Sequence, residues 1–285
     1  MTSISVPRQL WSFKFMLGIR MMSQGRVDNA ITAFEDAREI ARGVKDPVLV
    51  AQATQLAAFT QILRGEMKSA EAMLVALPTD GMQPDQRAGV LGGLASLAAA
   101  RDETAEAQKI IDEAAAVATP AGKPQIELLR INILNDEEKY VEAAKRARAL
   151  IASSQGFAAP ARFQLAEALL GNKAWDEARL VIDEIEKTQY KGEFTGEMQM
   201  ATFKARLDAV KGDVAEARRE LAEIAAKADD NGARLLALGA RHELAKVELE
   251  HGDRQKAHAL FAGLARDAAA MGCTRLARQA RERMN

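Results

Sequence analysis

Residues 17–37 read LGIRMMSQGRVDNAITAFEDA, and two helical patterns meet in this stretch at a glycine. Leu17 and Gly18 lie before that glycine, Gly25. Ala30 follows it by five positions, and Phe34 and Ala37 continue at helical spacing. In the second half, Ile31, Phe34, Ala37 and Ile40 recur every third residue and make one apolar face, while Glu35, Asp36, Arg38 and Glu39 fall on the other side. Gly25 stands where a turn is needed, and glycine adopts a left-handed backbone at no steric cost. The stretch predicts a helix–turn–helix unit with one apolar side. Such a unit cannot bury that side alone, so it predicts neighbours of the same kind.

The neighbours are present. A turn residue, an alanine five positions on and an apolar residue four further recur as Gly65, Ala70 and Leu74, then as Asp102, Ala107 and Ile111 with Ala114. Two copies lack the turn glycine and carry an aromatic three before the alanine: Tyr140, Ala143 and Ala147, then Trp175, Ala178 and Ile182. Gly212, Ala217 and Leu221 follow, and Gly252, Ala257 and Phe261 close the series. The aligned alanines, at 30, 70, 107, 143, 178, 217 and 257, are spaced by 40, 37, 36, 35, 39 and 40 residues.

This pattern resembles the tetratricopeptide family, whose repeat of about 34 residues is a helix–turn–helix. The family's Leu-Gly pair, turn glycine and Ala, Phe, Ala series are matched here by Leu17, Gly18, Gly25, Ala30, Phe34 and Ala37; Met21 replaces the tyrosine. Small residues at the corresponding place in later first helices are Ala58, Ala95, Ala166, Ala205 and Ala245, with Ile131 in the fourth repeat. The spacing exceeds the family's, which implies longer helices or connections. The expected fold is all-α: a right-handed α-solenoid of about seven such repeats with a C-terminal capping helix, a single domain over 1–285. The repeats are expected at 9–46, 47–83, 84–122, 123–158, 159–194, 195–230 and 231–273, and the cap at 274–285. In the cap, Leu276, Ala280 and Met284 are expected inward and Arg275, Arg278, Arg281 and Arg283 mostly outward.

Composition agrees. Aromatics are only 5% of the chain, against 48% hydrophobic residues overall, which favours Ala- and Leu-rich helix over sheet. All seven prolines, at 7, 47, 78, 84, 120, 124 and 160, fall at expected helix boundaries, where a missing N–H does least harm. The expected helices are 9–23, 27–43, 47–64, 67–77, 84–100, 104–118, 123–136, 140–153, 159–171, 175–187, 195–211, 214–228, 231–251, 254–271 and 274–283. Gly89, Gly92 and Gly93 lie inside one of them, as expected where a neighbouring helix packs closely.

The net charge is −1, from 39 basic and 40 acidic residues, so no broad field attracts nucleic acid or anionic lipid. The lone Cys273 excludes an intramolecular disulfide and reads as a partly buried thiol. The longest charge-free apolar run, Ala88 to Ala100, is short of the 18–20 residues or so that a membrane span needs. No secretory pattern opens the chain, and the expected location is cytoplasmic. No phosphate loop, CxxC pair or nucleophile elbow occurs. The histidines, His242, His251 and His258, lack ligand spacing, so neither metal nor cofactor is expected. The acidic pairs and runs, Asp102-Glu103, Asp136-Glu137-Glu138 and Asp229-Asp230, read as helix-end electrostatics. An enzyme is the least favoured class.

The resemblance implies a concave groove lined by first helices, which holds a peptide or an amphipathic helix of another protein. Its frame assigns Phe15, Ile19, Met22, Gln55, Phe59, Ile62, Ser96, Asn132, Asn135, Glu167, Arg206, His242 and Lys246 to that groove. Phe15, Ile19, Phe59 and Met22 read equally as core. The Lys and Asn set with which chaperone-binding members clamp a C-terminal carboxylate is not reproduced. The expected function is an interaction scaffold or adaptor. The alternative is a sensor or regulatory arm that binds a small ligand or peptide. The apolar first helix could also mediate self-association, and Tyr190 and Phe194 in the Lys187–Gly196 connection could touch a partner.

Overall fold

The computed structural model describes residues 6–78, 81–187 and 192–285. Fifteen α-helices occur among them and no strand. In pairs they are α1 (Val6–Ser23) and α2 (Val27–Gly43), α3 (Pro47–Arg64) and α4 (Met67–Val75), α5 (Pro84–Ala100) and α6 (Thr104–Val117), α7 (Lys123–Asp136) and α8 (Tyr140–Ser153). Then come α9 (Ala158–Gly171) and α10 (Trp175–Glu186), α11 (Phe194–Lys211) and α12 (Val214–Asp230), α13 (Arg234–His251) and α14 (Arg254–Met271), and the single α15 (Thr274–Glu282).

The helix ends have local causes. Asp46 accepts hydrogen bonds from the Val48 and Leu49 amides, and Pro47 fills the first position of α3. Asp253 caps α14 in the same way. Helices α3, α11 and α14 stop at the left-handed glycines Gly65, Gly212 and Gly272.

The small residues do what the repeat demands. All seven aligned alanines are completely buried, as are Ala95, Ala166, Ala205 and Ala245, with Ala58 nearly so. A Cβ on Gly18 would lie 2.6–2.9 Å from the Phe34 ring, so glycine there is what lets α1 and α2 cross closely. Gly92 and Gly93 likewise face Leu129 and Leu74. Successive first helices touch (α3 with α5, α5 with α7, α7 with α9, α9 with α11, α11 with α13), so they form an inner layer with the second helices outside. The result is an α-solenoid.

The solenoid closes on itself. Helix α13 lies against α3, α1 against α11, and α15 against α5. One buried cluster joins Ala58, Leu74 and Leu97 of repeats two and three to Phe261, Leu264, Ala277 and Ala280 near the C-terminus. The Val27 amide donates to the Asn231 carbonyl at 3.4 Å across the same seam.

Here the structure corrects one expectation. Leu276, Ala280 and Met284 do turn inward, but Arg275 is not outward: it is 3% exposed. Its guanidinium meets Asp102 at 3.4 Å and Glu137 at 3.5 Å. Arg278 also donates to Asp102, at 3.0 Å, and Arg283 to Glu138 at 2.7 Å. Of the acidic residues read as helix-end electrostatics, Asp102, Glu137 and Glu138 anchor α15. Lys173 and Glu250 pair further along, at 3.1 Å. Asp102, Glu138 and Lys173 are the turn residues of repeats three to five. All three hold left-handed φ of 67°, 57° and 59°, where repeats one, two and six use glycine.

Candidate binding cavity

Closure of the superhelix encloses a cavity of about 400 Å³. Its wall comes almost wholly from first helices, because these form the inner layer: Ile62 of α3, Ser96 of α5, Asn132, Asn135 and Asp136 of α7, Phe163 and Glu167 of α9, Met198 and Phe203 of α11, and Gly239, His242, Glu243 and Lys246 of α13. Helix α15 adds Arg275, Leu276 and Gln279. Its start lies 40 residues after that of α13 (274 minus 234), so it occupies the place of an eighth first helix.

The wall combines two chemistries. Phe163 and Phe203, with ring centroids 6.2 Å apart, line it with Met198, Leu235 and Leu236. Opposing charges form a chain that joins it to a neighbouring pocket. Arg206 bonds Glu167 at 2.8 Å and Glu243 at 3.1 Å, and Lys246 bonds Glu243 at 2.8 Å. Burial works against the Arg206 charge, but Glu167 and Glu243 outweigh it and raise its pKa. Burial likewise opposes the Glu243 charge, yet Arg206 and Lys246 hold its carboxyl well below the ordinary range. His242 is pushed down to about 3, chiefly by burial and then by Lys246, so it is neutral at physiological pH. Cys273 is pushed up to about 11 by burial and by the nearby Asp136, and stays a thiol.

Among the described residues, three polar atoms on this wall have no partner: Asn135 Oδ1, His242 Nε2 and Arg275 Nη1. The Asn135 amide nitrogen is already used, donating to the Gln164 backbone carbonyl and to Gln164 Oε1, both at 3.0 Å.

The structure divides the sequence-assigned residues. Ile62, Ser96, Asn132, Asn135, Glu167, His242 and Lys246 converge on the cavity. Arg206 lines an adjoining smaller pocket with Tyr140 and Glu243. Phe15, Ile19 and Met22 are absent from the wall; they pack with Phe34 and Ala57, Phe15 meeting the Phe34 ring edge-on at 5.9 Å. Gln55 donates to the Gln86 carbonyl at 2.8 Å, and Phe59 is 47% exposed away from the cavity. Phe194 packs over Gly25, whereas Tyr190 lies outside the described residues.

Several wall residues escaped the sequence reading. Phe163 precedes Glu167 by one helical turn, and Gly239 precedes His242 by three residues. Extending the assigned stripe by a turn finds both. Those of α15 carried no such signal, because a charged final helix reads as a cap. Among the described residues no group of three or more His, Cys, Asp or Glu side chains is placed to hold a metal. None of their helices is long and apolar enough to cross a membrane.

Fold and cavity together define a tetratricopeptide-like α-solenoid. Among solved structures the chain is similar to a Rap protein complexed with competence and sporulation factor. The identity is 13% and the TM-score 0.60, over 92% of this chain and 78% of that one. A tetratricopeptide repeat protein from Parabacteroides merdae ATCC 43184 also aligns, at 14% identity and TM-score 0.47, over 96% of this chain and 99% of that one. No protein-family model matches the sequence, and no curated protein matches it.

Proposed function

We propose that this protein is an interaction scaffold that holds a short extended segment of another protein in the cavity lined by its first helices. The observation that carries the reading is the convergence of seven first-helix positions on one cavity whose volume lies in the ligand-binding range of about 300–1,000 Å³. A wall with both apolar groups and unpartnered polar atoms suits a peptide, which offers apolar side chains and backbone donors and acceptors together. Enclosure by α13 and α15 favours a short segment over a whole amphipathic helix. The Rap structure, complexed with competence and sporulation factor, supports an interaction role for this architecture.

Gly239 supplies the test. It lines the cavity, and a Cβ there meets nothing within 4 Å. Gly239→Trp should fill the cavity and leave the fold intact, since leaving glycine in a helix gains about 0.5–1 kcal/mol. Peptides selected from a random phage-displayed pool on the native protein should bind it in calorimetry and not bind the variant. Equal binding to a folded Gly239→Trp protein would remove the cavity from the function.

A second reading, a ligand-sensing regulatory arm, is favoured by one feature: Arg275, Leu276 and Gln279 of α15 line the cavity while Arg275 also holds the seam. Occupancy should then slow amide exchange in α15. Self-association is favoured by the exposed stripe Val6, Leu10, Phe13 and Met16 on α1, with Phe13 62% exposed. Light scattering should show a dimer that Phe13→Asp dissociates.

A further inference from the structure

The carboxylates around the cavity are matched by cations, with one exception. Glu167 and Glu243 share Arg206, Glu243 also has Lys246, and Glu138 has Arg283. The Asp136 carboxylate lines the same cavity and has no hydrogen bond or ion pair among the described residues. The cation in its field, Arg275, bonds Asp102 through Nε and Glu137 through Nη2, and makes no recorded bond to Asp136.

A second observation points the same way. Asn135, adjacent on the wall and 6% exposed, has both described side-chain bonds on its nitrogen and leaves Oδ1 without a partner. The wall therefore offers one open, charged acceptor, the Asp136 carboxylate, with a second, buried acceptor on the adjacent residue. A neutral ligand would bring the carboxylate no counter-charge. A primary ammonium carries three donors and a charge, and a guanidinium carries five donors and a charge.

Accepting the cavity as the binding site, we propose that Asp136 with Asn135 forms a subsite for a cationic group of the bound peptide, either a Lys or Arg side chain or a free amino terminus.

The subsite also carries a pH dependence. Asp136 lines the cavity and keeps an exposed surface, while the protein around it pushes its carboxyl up, to about 7. Arg275 of α15 pulls the other way, while Glu167 of α9 and the adjoining Glu137 add to the rise. Cys273 at the start of α15 also faces it and stays neutral. A cation binds the ionised form, so affinity should climb as pH rises through 7; for Lys and Arg it levels off above that, and for an amino terminus it falls again as the amine deprotonates at about 8. Full coupling gives up to about 100-fold between pH 5 and pH 8. The stability sign is opposite. The folded carboxyl holds its proton more tightly than the unfolded one, so stability is present below the unfolded value near 4 and lost as pH rises toward 7. Asp136→Asn should therefore raise the melting temperature at pH 8 and change it little at pH 4.

The experiment uses two random pentapeptide pools on the full chain. One has free amino termini and includes Lys and Arg; the other is acetylated and carries norleucine and citrulline in their place. The wild type should retain the first pool preferentially, with affinity rising at least tenfold from pH 5 to pH 8. Asp136→Asn should keep its circular dichroism, but lose both the preference and the pH dependence. Equal retention of the two pools by the wild type, or an unchanged preference in Asp136→Asn, overturns the subsite and leaves the cavity reading standing. Retention of neither pool overturns both.

Discussion

The seam that closes the superhelix has two halves built on different physics. At the turns of repeats one and two the residue in the left-handed region is glycine, and the returning chain packs apolar groups onto it. A Cβ on Gly25 would sit 2.5–2.9 Å from the Phe194 ring, and one on Gly65 would collide with Met271. At the turns of repeats three to five, charged residues take the same backbone conformation and reach across to partners in α13 and α15. A non-glycine residue in that region costs about 1–2 kcal/mol. Glycine was available to the repeat, as Gly212 shows, so the strain at Asp102, Glu138 and Lys173 is offset by the charge each places at the seam. The repeat frame sets the backbone at each turn; the company across the seam decides whether the turn is bare or charged.

The apolar half should be the less forgiving. Gly25→Ala combines positive φ of 77° with a clash against a rigid ring, and should lower stability by about 3 kcal/mol. The midpoint of urea unfolding reads this directly, and a change under 1 kcal/mol would mean that α11 does not rest on the first turn. Arg275→Met should cost about 2 kcal/mol, because it strands Glu137 near the seam, though Lys139 at 2.7 Å and the partial exposure of Asp102 soften the loss. If that variant matched Arg278→Ala, whose exposed pair is worth about 0–1 kcal/mol, burial would not be what distinguishes the two arginines.

Smaller still is the net effect of Asp102→Gly. Relief of backbone strain should cancel the lost ion pairs to within about 0.5 kcal/mol. The protein should nevertheless lose part of its salt sensitivity. In the wild type, 1 M salt shortens the screening length to about 3 Å, so it should speed amide exchange in α15 while leaving α2 near Gly25 unchanged. Uniform exchange along both halves would erase the distinction.

The sequence by itself determined the helices and the way they stack. Their ends fall within a few residues of expectation because caps, prolines and apolar periodicity are local signals. The seven alanines are completely buried because each repeat must let two backbones cross. Sequence also placed Asn132, Asn135, Glu167, His242 and Lys246 on a common inner surface, since a repeat frame carries one position into the next. What it could not supply was curvature. Local periodicity does not distinguish an apolar residue facing the core from one facing a groove, so Phe15, Ile19 and Met22 proved to be packed around Phe34. Nor does it show that Arg275 meets Asp102 from 173 residues away, turning an expected solvated cap into the last wall of a cavity. Small rotations between repeats add up over the whole chain, and only their sum brings the two ends into contact.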